Sequence, residues 1–202
     1  MFDAICESGK KAFSEMKGHW GIAAVMTLVM VLLLGGVSKL LGLVQEDIGF
    51  LGTLVVFPLF WGYDIAFLRN HRGEQESVMV SRLFDAFKDF GRIYITMLLV
   101  YIYTVLWTFL LVVPGIIKGL SYAMTTYILR DNADLQEDAA IELSMAMMQG
   151  HKMELFCMYL VFLLSCIITL GLGLYWFMPW FSQTKAIFYE RIKAEYEQNQ
   201  CF

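Results

Sequence analysis

The chain has 202 residues and a formal net charge of −4, with 58% hydrophobic, 15% aromatic and only 17% charged residues. Soluble domains carry about a quarter charged residues and about half or fewer apolar ones, so this composition excludes an ordinary water-soluble domain and intrinsic disorder. Without a basic field, nucleic acid is not an expected partner.

At about 20 apolar residues per crossing, the chain has room for six transmembrane helices and no sizeable soluble domain. The chain opens on an amphipathic stretch whose apolar stripe is Phe2, Ile5, Cys6, Gly9, Phe13 and Met16. A long apolar run follows over 20–44, too long for a signal-peptide core, and reads as a retained span. The next run, 49–68, contains Pro58 and Asp64. A second stripe (Val80, Leu83, Phe84, Phe87, Phe90) precedes the run 93–113. Pro114-Gly115 is expected to end that span and turn into the next, 115–129. A third stripe (Leu135, Ala139, Leu143, Ala146, Met147) follows, and Asp134 with Glu137 reads as an N-cap and capping box. The run 153–174 turns at Gly171-Leu-Gly173 into a weaker apolar segment, 175–190, and a polar tail, 196–202. Of the four cysteines, Cys157 and Cys166 are nine helical residues apart, about 13 Å, too far to bridge. With Cys6 and Cys201 they are expected to be unpaired.

Charge placement decides the number of crossings. With six spans and both termini inside, the inner segments hold Lys10, Lys11, Lys17, Arg69, Arg72, Arg82, Lys88, Arg92, Arg130, Lys152, Lys185, Arg191 and Lys193. Only Lys39 and Lys118 fall outside, where Lys118 is expected to snorkel to the surface. Four spans would move Arg130 and Lys152 outside as well. Six spans also put Trp107, Trp176 and Trp180 near the outer boundary and Trp20 near the inner one.

A repeat gives the same count. Arg69, Arg130 and Arg191 are spaced by 61 residues, as are Gln75-Glu76 and Gln136-Glu137. Entries to the odd spans resemble one another: Lys17-Gly18-His19, Phe90-Gly91-Arg92, Gly150-His151-Lys152. The expected fold is all-α: a polytopic membrane protein in one domain, 1–202, with six transmembrane helices. They form three repeats, about 1–69, 70–130 and 131–195, each an interfacial amphipathic helix followed by a transmembrane hairpin.

Polar groups inside spans are the functional suspects, because each is costly in hydrocarbon. Asp64 is either functional or one half of an ion pair with Arg69 or Arg92. Asp64, Ser121, Thr125, Gln183, Thr184 and Lys185 form the candidate polar cavity between the hairpins. The ordinary alternative is that the hydroxyls bond back to their own helices and that 183–185 mark a helix leaving the bilayer. No metalloprotease, nucleophile-elbow, phosphate-loop or paired-carboxylate signature occurs, so no catalytic residue, metal or cofactor is expected.

The run Val113-Pro114-Gly115-Ile116-Ile117-Lys118, with Leu120-Ser121-Tyr122-Ala123-Met124 and Tyr127-Ile128-Leu129, carries a resemblance. So do Gln149-Gly150-His151-Lys152, Thr169-Leu170-Gly171 and Phe188-Tyr189-Glu190. Together they resemble the bacterial integral-membrane family catalogued as domain of unknown function 975, most strongly from Leu106 to Arg191. The resemblance implies a bacterial cytoplasmic-membrane protein and carries no activity or site residue with it. The expected function is a non-enzymatic scaffold, sensor or accessory protein. It would lie in the lipid bilayer, both termini cytoplasmic, beside a membrane-protein partner or as a homo-oligomer. The alternative is a small-solute or lipid carrier or channel.

Overall fold

The computed structural model describes residues 2–44, 51–74, 80–169, 171 and 173–200. Expectations resting on residues 49–50, Gln75, Glu76, Leu170, Leu172 and Cys201 lie outside the described residues. Among the described residues the chain is helical, with no strand. The α-helices are α1 (Phe2–Glu15), α2 (Trp20–Val44), α3 (Leu51–His71), α4 (Phe90–Leu110), α5 (Val112–Tyr122), α6 (Thr125–Asp131), α7 (Glu137–Met147), α8 (Lys152–Ile168) and α9 (Leu174–Gln200). A 3₁₀ helix, Val80–Asp89, leads directly into α4. Three stretches are long and apolar enough to cross a membrane: Trp20–Leu40, Val80–Leu110 and Val112–Asp131. The pair α7 and α8, bent by 91°, makes a fourth if it counts as one crossing.

Among the described residues each predicted apolar run is helical over most of its length, but several boundaries differ from expectation. The turn between α4 and α5 is a single extended residue, Leu111 (φ −160°, ψ 136°), and Pro114-Gly115 already lies inside α5. Proline fits there because first-turn N–H groups have no helical partner. Gly115 fits because a Cβ would stand 2.2 Å from the Thr108 hydroxyl, so the two helices meet closer than alanine would allow. The run 115–129 is broken at Ala123-Met124 into α5 and α6. At the third stripe the helix begins at Glu137, with Gln136 as N-cap and no side-chain capping bond. The expected box from Asp134 is therefore not formed.

Gly18 (φ 88°) and Gly150 (φ 84°) end the helices before α2 and α8 in the left-handed conformation that only glycine enters without strain. The 3₁₀ helix needs no such stop. Its three residues per turn align every third side chain, so Phe84, Phe87 and Phe90 form a ring ladder with centroids 6.2 and 5.7 Å apart. The same period brings Arg82 and Lys88 to Asp85, at 3.5 and 2.8 Å. Leu83 is fully buried, and the backbone there lies so close to α3 that a Cβ on Gly62 would stand 2.4 Å from its carbonyl oxygen.

Two cores result. One joins α3, α4, α6, α7, α8 and α9 around Tyr127, Leu129, Met148, Leu155, Phe188 and Tyr189. The other joins α2 and α3 around Met26, Met30, Leu59, Tyr63 and Phe67, with Leu83 beneath it. Outside them the surface is strongly apolar, reaching 92% exposure at Phe109 and 80% at Ile168. An apolar surface of this extent matches a lipid environment rather than water.

The tryptophans are arranged differently from the expected belt. Trp20 and Trp176 have ring centroids 5.8 Å apart, and the Trp180 indole N–H donates to the Gly9 carbonyl at 3.0 Å. They form one cluster because α1 folds back along α9. Lys118 also departs from expectation. Its ammonium lies 5.1 Å from the Trp107 ring and 3.8 Å from the Met145 sulfur. It turns towards the protein instead of reaching away from it.

Candidate functional site

The second, fourth and sixth predicted apolar runs end in α3, α6 and α9, and these three helices converge. Arg72, just past α3, donates to both carboxylate oxygens of Asp131 at 2.8 and 2.9 Å and to Glu190 at 2.7 Å. Asp131 closes α6, and its side chain is only 8% exposed. It also accepts from the Tyr189 hydroxyl at 2.8 Å and from Lys193 Nζ at 2.5 Å. The Asp131 carboxylate beside it raises the pKa of the Arg72 guanidinium further still, so Arg72 remains a cation. Below this charge cluster the Tyr127 and Tyr189 rings stack at 4.9 Å, and the Trp61 N–H donates to the Thr126 carbonyl.

The six candidate polar residues do not line one path. Asp64 and Lys185 are brought together, with Nζ 2.5 Å from Oδ2, and Lys185 also lies 5.6 Å from the Tyr127 ring. Asp64 therefore pairs with neither Arg69 nor Arg92. Five residues along a helix turn a side chain by about 140° from its starting direction, so Asp64 and Arg69 face different neighbours. Arg69 bonds Asp85, whereas Arg92 takes Asp89 and the carbonyls of Leu129 and Asn132 at the end of α6. Gln183 points to another partner set, donating to Glu15 at 2.7 Å and accepting from Asn70 at 3.1 Å. Glu15 in turn meets His71 Nδ1 at 3.0 Å.

The hydroxyls behave mostly as local helix bonds. Ser121 donates to Ile117 and Thr184 to Trp180. The Ser121 carbonyl accepts from Ser144, whose hydroxyl also receives the Met124 N–H. Ser144 thereby ties α7 to the break between α5 and α6. Thr125 is buried, and its hydroxyl has no hydrogen-bond partner among the described residues. A cavity of about 240 Å³ opens beside the ion pair, walled by Phe60, Tyr63, Phe162, Met178 and Phe181. No group of three or more metal-ligating side chains occurs among the described residues.

Sequence reasoning missed the charge cluster of Arg72, Asp131, Tyr189, Glu190 and Lys193. The signal was close by: Asp131 and Glu190 are direct neighbours of the arginines at 130 and 191 that mark the repeat. The arginines themselves diverge. Arg69 pairs with Asp85 and Arg191 with Glu154, while Arg130 has no ion pair among the described residues.

Residues 109–196 match the family model described as protein of unknown function (DUF975), in agreement with the resemblance carried by the sequence. No curated protein and no solved structure matches the chain.

Proposed function

We propose that this chain, with its DUF975 region, is a non-enzymatic accessory protein of the bacterial cytoplasmic membrane that scaffolds a partner complex or senses lipid. In this reading it crosses six times as three repeats, with both termini in the cytoplasm. The observation that carries it is the charge cluster: Arg72, Asp131 and Glu190, at or just past the ends of the second, fourth and sixth apolar runs, are spaced by 59 residues, and Arg72 bonds both acids. Such a junction holds three hairpins as one frame. It spends the polar groups on self-association, while the apolar outer faces and the phenylalanine ladder remain available. The paired glycine stops at Gly18 and Gly150 support equivalent first and third repeats.

The test is extraction in mild detergent followed by native mass spectrometry, with reporter fusions at each terminus. A stoichiometric partner subunit or lipid and cytoplasmic termini are expected. A lone monomer without bound lipid would overturn the accessory reading, and a terminus on the outer side would overturn the topology.

A second reading, a small-solute or lipid carrier, rests on the cavity beside Asp64 and Lys185. It requires that Asp64→Asn change solute flux in liposomes. An unchanged flux would sink it.

A further inference from the structure

A second hollow, larger than the one beside Asp64, lies where α1 folds across α9. It measures about 490 Å³ and is lined by Phe13, Trp20, Ser165, Trp176, Phe177 and Trp180. Two polar groups of this wall are already engaged inside the protein. The Trp180 N–H donates to Gly9, and the Ser165 hydroxyl donates to the Val161 carbonyl. An occupant gains little from hydrogen bonding there and must itself be apolar.

The hollow is also extended. One turn farther along α2 a second apolar recess of about 390 Å³ is lined by Ala24, Val25, Leu28 and Tyr175. Tyr175 adjoins Trp176 in sequence and Ala24 follows Trp20 by one turn, so the two hollows take successive places along α2 and α9. Two successive apolar hollows suit a flexible hydrocarbon chain better than a compact ring system.

Two lysines adjoin the wall residues in the chain: Lys10 stands three residues before Phe13 on α1, and Lys17 lies in the turn between α1 and α2, three residues before Trp20. Both are exposed, and neither forms an ion pair among the described residues. The wall is built for contact: a Cβ on Gly9 would stand 3.0 Å from the Trp180 ring, so the glycine lets α1 close against it.

We propose that these hollows form one trough that holds an acyl chain of an anionic phospholipid, whose phosphate group sits at Lys10 and Lys17. This deepens the accessory reading by naming a lipid class and site, and it rests on that reading's membrane placement. A partner subunit found by native mass spectrometry would leave the accessory reading standing even if the lipid site failed.

The experiment uses the full chain, delipidated in dodecylmaltoside and titrated with phosphatidylglycerol carrying brominated acyl chains. Bromine quenches tryptophan at contact, and Trp20, Trp176 and Trp180 line the trough. Saturable quenching at one lipid per chain is expected. Ser165→Phe, which fills the hollow, should abolish it. Because that variant could disturb packing, Trp176→Ala serves as the second; it removes a half-exposed wall residue and should reduce both amplitude and affinity. Lys10→Gln with Lys17→Gln should weaken binding by about fivefold per lysine, and phosphatidylcholine should bind the parent chain comparably weakly. Quenching without saturation, or equal quenching in both wall variants, would overturn the site. Equal affinity for the two lipids, or no effect of the lysine changes, would overturn the headgroup assignment. Occupation of the trough by a protein segment that excludes lipid would also overturn it.

Discussion

Asp131→Asn tests whether the charge cluster holds α3, α6 and α9 together. The native carboxylate accepts from Arg72 twice, from Tyr189 and from Lys193. Asparagine keeps the shape, but it loses the charge and presents an amide N–H₂ to one of two cations. Charge-assisted bonds contribute about 1.5–3 kcal/mol each. The full sum does not apply here, because Arg72 and Lys193 are more than a quarter exposed and Arg72 retains Glu190. A loss of about 3 kcal/mol is expected, corresponding to roughly 6–12 °C in Tm for a chain of this size. Circular-dichroism melts in detergent measure it, with Asp134→Asn, exposed and unpaired among the described residues, as the neutral control. A double-mutant cycle with Arg72→Gln should give about 1–3 kcal/mol of coupling. A Tm within 2 °C of the parent (about 1 kcal/mol or less), together with strict additivity in the cycle, would refute the reasoning.

Three further outcomes follow from packing. Gly62→Ala places a Cβ against the Leu83 backbone carbonyl, which no rotamer change relieves, and should cost about 1–3 kcal/mol and speed proteolysis within Val80–Asp89. Unchanged cleavage would contradict that close approach. Ser144→Ala removes the bonds to Ser121 and Met124 and should destabilise by about 1–3 kcal/mol, read by hydrogen exchange at α7; native protection there would count against it. Lys185→Met alone leaves Asp64 unpaired and should cost about 3–5 kcal/mol, whereas Lys185→Met with Asp64→Leu should restore most of it, as seen in parallel melts. A double variant no more stable than the single one would mean that the pair is not an isolated unit.

Much of the helical layout was legible because it rests on local signals. Apolar runs longer than a soluble helix, stripes at helical spacing and glycines at helix ends each act over a few residues, and α1, α7 and the 3₁₀ helix lie at the three predicted stripes. The candidate site was legible only in part. Asp64 and Lys185 were both marked as polar intruders, but their pairing spans 121 residues and depends on how α3 packs against α9. The same holds for Asn70 with Gln183, and Trp61 reaches the Thr126 carbonyl only because α3 packs against α6. Nothing local distinguishes Ser144 from any serine on an amphipathic helix, yet it fastens the break in the fourth apolar segment. The tryptophan belt failed for a related reason. Boundary preference describes an isolated span, while the return of α1 along α9 offers Trp180 a carbonyl and Trp176 a ring.

The position of Glu190 has a consequence for biogenesis. Arg72 leaves the ribosome 118 residues ahead of its last partner, so at bacterial-to-eukaryotic synthesis speeds it waits about 6–24 s for it. During that interval Arg72 and Asp131 can join the ends of α3 and α6, but the third side of the junction is missing. Synthesis of α9 is therefore a closing step: in a chain stalled before Glu190 the Arg72 guanidinium still lacks one of its two acidic partners.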